Sequence, residues 1–137
     1  FTIALEAHAG QFDKQGKPYI NHVLKVSNRC KSMDAKIVGM LHDVIEDCPG
    51  FTKEVLIQRG IPEYLVEIVD LVTKRPGLSY EDYVKRVKSN KISIEVKLSD
   101  LKHNMDLTRN KVGLIESEIQ RTLRYHKLYV ELYKVLD

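Results

Sequence analysis

The sequence predicts an all-α protein, a helical bundle of about eight helices joined by short connections. Three observations carry that prediction. Apolar residues recur at helical spacing in most segments, as in Tyr80, Tyr83 and Val87. Capping residues (Asp34, Thr52, Ser79) and breaks (Pro49-Gly50, Gly60, Pro76-Gly77) fall between those segments. Only Ile92, Ile94, Val96 and Leu98 alternate as a strand would, and they have no second strand candidate to pair with. That segment is therefore read as a helix with two buried faces.

Each element has a local reason. Residues 2–11 form a short apolar-periodic stretch. Pro18 can open a helix at its first turn, and Ile20, Val23, Leu24 and Val26 carry it toward Cys30. Asp34 suits the N-cap of the next helix, which runs to Asp47 before Pro49-Gly50 breaks the chain. Thr52 caps a segment containing Val55 and Leu56 that Gly60 ends. Pro62 opens Glu63–Thr73, and Pro76-Gly77 closes it. Ser79 starts another helix, with Asp82 where a capping box wants an acidic residue. The last helix, about 112–136, sets Ile115, Ile119, Leu123, His126, Val130 and Tyr133 on one stripe, which predicts core or interface packing for His126. Tyr125, Tyr129 and Tyr133 on its exposed part could pack on the domain or on a second subunit, making a homodimer.

Composition narrows the function classes. A chain of 137 residues is long enough for one core, so residues 1–137 are read as a single domain. The net charge of +3 comes from basic residues spread along the chain, which does not indicate nucleic-acid binding but suits an anionic small molecule. No apolar run is long enough for a membrane span, and no basic-then-apolar start marks a secretory signal. The chain begins at Phe1 rather than Met, which predicts a few residues upstream. Cys30 and Cys48 are read as two reduced thiols of a cytoplasmic protein.

The chemistry concentrates in His42-Asp43-Val44-Ile45-Glu46-Asp47, where a histidine and three carboxylates end the apolar segment Ile37–Leu41. On a helix these four polar residues span an arc of about 140°. Carboxylates that close repel one another, and a divalent cation removes the repulsion. The competing reading is a solvated helix end, with acids misplaced near the negative end of the dipole. His22, on the preceding helix, and Asp100, ending Val96-Lys97-Leu98-Ser99, are further candidates, with His103 and Asn104 one turn beyond. Each taken alone reads more readily as structural. Two histidines and two aspartates would give a nitrogen–oxygen ligand set suited to Mn, Fe, Co, Ni or Zn rather than Ca. A water on such a metal is a nucleophile at neutral pH, and Glu46 and Asp47 beside it can orient that water or shuttle its proton. His8 reads as structural. Tyr83 and Arg86 share a face with Tyr80, either as packing plus a surface arginine or as a purine-stacking, phosphate-pairing edge.

The order His22, His42-Asp43, Asp100 resembles the metal-binding signature of HD-domain phosphohydrolases. More narrowly, five ordered blocks resemble the hydrolase domain of the RelA/SpoT group and its small stand-alone relatives. They are Ala7–Gln11, Pro18–His22, Leu41–Asp47, Tyr80–Tyr83 with Arg86, and Val96–Asp100 with His103-Asn104. The resemblance covers roughly residues 1–110 and implies an all-α fold. It implies that His22, His42, Asp43 and Asp100 hold one divalent metal, usually Mn2+ in this group. It implies that Glu46 and Asp47 are the catalytic pair, and that Lys14 and Asn104 contact the substrate, with Lys97 or Arg86 and Tyr83 as helpers. The reaction in the group is removal of the 3′-pyrophosphate from guanosine tetra- or pentaphosphate by attack of a metal-bound water.

Two positions depart from the group. Its Arg-Lys pair before Pro-Tyr-Ile is Asp13-Lys14 here, and an aspartate there is expected to repel a polyanion. Its threonine beyond the last metal aspartate is Leu107. Both favour an alternative within the fold, hydrolysis of another nucleotide or phosphate ester. A third reading is a nucleotide-binding module that turns over nothing. Nothing resembles a synthetase segment, so nucleotide synthesis is not expected.

Overall fold

The computed structural model describes residues 1–136. Among them are nine α-helices, one 3-10 turn and no strand. They are α1 (Thr2–Ala7), α2 (Ile20–Arg29), α3 (Met33–Leu41), α4 (Val44–Asp47), α5 (Lys53–Gln58), α6 (Glu63–Leu71), α7 (Tyr80–Lys88), α8 (Lys91–Asn104) and α9 (Glu116–Leu136), with the 3-10 turn at Leu107–Arg109 before α9. The all-α expectation holds.

The caps follow the sequence closely. Thr52 Oγ1 accepts the Val55 N–H, and Ser79 Oγ accepts the Asp82 N–H. One cap differs: Ser32, not Asp34, accepts the Ala35 N–H and starts α3. Both residue types cap well, and Ser32 holds the extended backbone an N-cap needs. The helix expected to run on to Asp47 is interrupted at His42 and Asp43, which separate α3 from α4. The last helix starts at Glu116 rather than 112, because Gly113 takes a left-handed φ of 114°.

α8 explains the strand-like alternation. Two residues along a helix turn about 200°, so alternate positions face opposite sides. Ile92 and Val96 pack into one core with Val26, Val38, Leu41, Leu65 and Val69. Ile94 and Leu98 pack into a second with Tyr83, Val87, Leu128 and Leu132. α8 is thus the partition between α2, α3 and α6 on one side and α7 and α9 on the other. Burying both faces places Asp100, near its C-terminal end, deep between the two cores.

α9 corrects the expected stripe. Leu128 and Leu132 are its buried residues, and Tyr125 and Tyr129 pack beside them. Ile115, Ile119, Leu123, Val130 and Tyr133 are exposed large hydrophobics, and His126 is exposed as well. A long helix with apolar residues on two sides offers two stripes, and the second core selects the one bearing Leu128 and Leu132. Both cysteines are free and buried.

Candidate metal and active site

α2, the α3–α4 junction and α8 each bring a polar side chain to one point. Donor atoms of His22, His42, Asp43 and Asp100 all lie within 4.8 Å of one another. His22 Nε2 is 2.9 Å from Asp100 Oδ1 and 3.9 Å from Asp43 Oδ2. His42 Nε2 is 3.0 Å from Asp43 Oδ2 and 3.4 Å from Asp100 Oδ1. The four residues singled out by sequence therefore converge from three separate parts of the chain.

The orientation of His42 is fixed. Its Nδ1 lies 2.6 Å from the Gly39 carbonyl, which can only accept, so Nδ1 carries the hydrogen. Nε2 then points at both carboxylates, buried and with a hydrogen bond to neither. A buried nitrogen lone pair facing two carboxylates is an unfavourable arrangement unless a cation or proton stands between them. In the metal-free cluster burial lowers the His42 pKa, but Asp43 and Asp100 outweigh it and hold the ring well above its usual value. Burial likewise pushes Asp43 up, and His42 brings it back down to about 2. Both shifts describe a pocket suited to positive charge, which a divalent ion would supply by displacing the proton. Two imidazoles and two carboxylates fit such an ion.

Neighbouring side chains orient these groups. Tyr19 Oη donates to Asp43 Oδ2 at 2.5 Å. Lys97 Nζ is 2.8 Å from Asp100 Oδ2, and Asn104 Nδ2 donates to Asp100 Oδ1 at 3.1 Å. His22 Nδ1 lies 2.7 Å from His103 Nδ1, so one ring must donate and the other accept. Burial and the nearby Arg109 lower the His103 pKa to about 4, keeping that ring neutral. His8, expected to be structural, donates from Nδ1 to Gln11 Oε1 at 2.8 Å and lies obliquely against Tyr19. Sequence reasoning gave Tyr19 and His103 no role; their only signal was proximity to His22 and Asp100.

Glu46 and Asp47 line a cavity of about 160 Å³ with His42, Asp43 and Asp100. Asp43, Glu46 and Asp47 also offer oxygens within 4.8 Å of one another. Glu46 Oε1 accepts the Lys74 N–H at 2.8 Å, which holds it at the cavity mouth. Burial, and then the Asp43 and Asp47 charges, raise the Glu46 pKa; burial and Asp43 raise that of Asp47. Raised carboxylates can take up and release a proton nearer neutrality than ordinary ones.

A neighbouring cavity of about 350 Å³ is lined by Tyr19, His22, Lys14 and Asn104, together with Leu107 and Arg109. Lys14 and Asn104 thus share a cavity with His22 of the cluster. Asp13 corrects the expected repulsion: its Oδ2 pairs with Arg109 at 3.0 Å, and its Oδ1 accepts the Gln15 and Lys17 N–H groups. Arg109 also donates to the His103 carbonyl at 3.0 Å. The Asp13 charge is therefore matched locally. Tyr83 lies beneath the cluster, buried, with Lys74 and Lys97 over its ring at 5.4 and 5.7 Å.

Arg86 is a correction too. It binds Asp70 at 2.9 Å and the Asp70 carbonyl at 3.2 Å, and lines a separate depression with Tyr64 and Asn90. Asp70 is buried within apolar α6 and is also paired with Arg75 and Lys53. Compensating that buried charge claims Arg86 for structure. An aspartate between Val69 and Leu71 was the available sign of this demand.

No family model matches the chain. Over 118 residues it is 36% identical to the guanosine-3′,5′-bis(diphosphate) 3′-pyrophosphohydrolase of Haemophilus influenzae, covering 75% of this chain and 17% of that protein. It is 33% identical over 120 residues to the protein of that name from Borreliella burgdorferi, covering 75% of this chain and 17% of the relative. It is 29% identical over 120 residues to the bifunctional (p)ppGpp synthase/hydrolase SpoT of Escherichia coli, covering 77% of the chain and 17% of that protein. The chain thus spans about a sixth of the length of these curated relatives. Among solved structures, a metazoan ortholog of SpoT that hydrolyzes ppGpp superposes with a TM-score of 0.75 at 23% identity, covering 96% of this chain and 81% of that one. That likeness shows the fold. In sequence over three quarters of its length, and in fold over nearly all of it, the chain resembles the hydrolase domain of RelA/SpoT-type HD-domain phosphohydrolases.

Proposed function

We propose that the chain is a metal-dependent phosphohydrolase that removes the 3′-pyrophosphate of guanosine tetra- or pentaphosphate. The observation that carries the reading is the convergence of His22, His42, Asp43 and Asp100, the last three of which line one cavity with Glu46 and Asp47. Mn2+ is the ion proposed, because the family resemblance implies it and the mixed imidazole and carboxylate donor set admits it. When bound, a divalent ion there supplies Lewis acidity toward phosphate and lowers the pKa of water.

The chain's own residues do the rest. Tyr19 and Asn104 hold Asp43 and Asp100 in place through their hydrogen bonds. Glu46, anchored at the Lys74 N–H, and Asp47 take the proton of an attacking water. The new bond forms between that water's oxygen and the phosphorus attached to O3′. The P–O3′ bond breaks, pyrophosphate leaves, and the ribose oxygen takes up a proton from the same carboxylate pair. Lys14 and Asn104 flank the nucleoside side of the cavity.

The test is pyrophosphate release from guanosine tetraphosphate with added Mn2+ and with a chelator. Chelator-sensitive release supports the reading. Mn2+ binding without release of pyrophosphate overturns the substrate. The second reading, another nucleotide or phosphate ester, is favoured by Leu107 and by Asp13, paired with Arg109; both line the neighbouring cavity where the group has other residues. A panel of nucleotides under the same conditions separates the two.

A further inference from the structure

A third cavity, larger than the two above at about 790 Å³, runs between α7 and α9 over α8. Its walls carry seven cations against two carboxylates, Glu81 and Glu131. The cavity beside the metal cluster is different: its cations, Lys14, Arg109 and Arg121 (the last shared with the cleft), are equalled in number by Asp13, Asp106 and Glu118. Charge is balanced in one and heavily positive in the other.

Two of the seven cations are neutralised. Lys88 pairs with Glu131 at 2.6 Å, and Lys97 with Asp100 at 2.8 Å. Lys74, Lys85, Arg121, Arg124 and Lys127 have no carboxylate partner among the described residues. They come from three elements: the loop before α7, α7 itself and α9. Such a cluster repels itself, and the protein could have relieved that with acids on either helix. The floor is apolar, formed by Val84, Leu101 and Leu128. An apolar floor with an unneutralised cationic rim is a poor protein–protein core but a good seat for a flexible polyanion. The cleft also adjoins the metal cavity, with Lys74, Tyr83, Lys97 and Tyr125 lining both.

We infer that the α7–α9 cleft is a binding site for an oligophosphate, a run of two or three linked phosphates held by Lys74, Lys85, Arg121, Arg124 and Lys127. The assignment stands apart from the hydrolase reading, because none of these residues belongs to the metal cluster. Two sources share this chemistry. One is the non-reacting phosphate arm of a nucleotide whose other end lies at the cluster. The other is a separate phosphorylated effector.

The probe is inorganic tripolyphosphate, titrated calorimetrically into the metal-stripped protein so that the metal cluster cannot bind it. One-to-one binding is expected, weakening as salt rises. Lys85→Glu with Lys127→Glu should weaken it at least about tenfold, since each reversal replaces an attraction by a repulsion. Lys25→Glu with Lys31→Glu, on α2 and just beyond it, makes the same change in net charge and should leave affinity within about twofold. Circular dichroism and the melting temperature check that both variants fold. No binding, equal affinity in the cleft variant, or equal loss in the control would overturn the site. Competition then separates the sources. Mutual exclusion with guanosine tetraphosphate supports the substrate's own arm, and simultaneous binding supports an effector; either upholds the cleft. Tripolyphosphate binding in a protein that hydrolyses no nucleotide would retain the cleft and reject the hydrolase reading.

Discussion

Tyr19 is the side chain through which the loop before α2 acts on the cluster. Its hydroxyl donates to Asp43 Oδ2, the oxygen that faces His22 and His42, and so fixes that oxygen in the cluster. Tyr19→Phe keeps the ring and its packing on His8 and His22 and removes only the donor. Mn2+ affinity should fall about tenfold with little change in melting temperature, as measured by titration and thermal unfolding. Unchanged affinity would show that the Tyr19 hydroxyl does not orient Asp43 toward a metal. Glu46 predicts a different split. Glu46→Gln should keep Mn2+ bound while kcat falls about 10²-fold or more. Because burial raises the Glu46 pKa, the carboxylate should protonate, and the rate should fall, at a higher pH on the acid side than an ordinary glutamate would give. An acid limb near 4.5 that Glu46→Gln leaves in place would refute the role. The four cluster residues were legible in the sequence because each interrupts or ends an apolar run, where an isolated polar group is costly. Tyr19 and His103 were not, because their roles arise only when residues 24 and 81 positions away are brought beside them.

Helices set the spacing of the cluster, and one glycine sets the spacing of two helices. A Cβ built on Gly39 would lie 3.2 Å from the Ser27 backbone Cα. α2 and α3 therefore approach closely, bringing His22 and His42 to a ring separation of 5.5 Å. Gly39→Ala must push backbone rather than a flexible side chain, and should cost about 1–3 kcal/mol and weaken Mn2+ binding together. A variant that is equally stable and binds Mn2+ as before would show that α2 can yield without disturbing the site. The Asp13–Arg109 pair ties the loop before α2 to the 3-10 turn after α8 across 96 residues. Asp13→Arg would set two guanidiniums face to face, so it should lower stability by about 2 kcal/mol in chemical unfolding rather than tighten nucleotide binding. The sequence could show that Asp13 departs from the group's arginine, but not that Arg109 answers it. The helices themselves were legible from caps and breaks. Which stripe of α9 faces inward was not, because apolar residues lie on two sides and the tertiary partner chooses.

At the scale of the whole molecule, the cluster joins α2, the α3–α4 junction and α8, elements spread over most of the chain. A metal that binds this arrangement and not the unfolded chain must stabilise all of it by mass action. At about a hundredfold excess over Kd the gain is about 2.7 kcal/mol. For a domain of this size that corresponds to a rise in melting temperature of roughly 10 °C. Asp100→Asn tests the coupling because it keeps the shape of the side chain and removes its charge. Without metal the variant should melt lower than the parent, since Lys97 loses its buried partner. With Mn2+ the rise should shrink to about 2 °C or less, because one of the two carboxylates facing His42 is gone. The comparison is between shifts, so the lower starting point of the variant does not confuse it. A full rise in the variant would place the metal elsewhere. No rise in the parent would mean that the charge between His42 and the two aspartates is supplied by a proton alone, and the hydrolase reading would lose its cofactor.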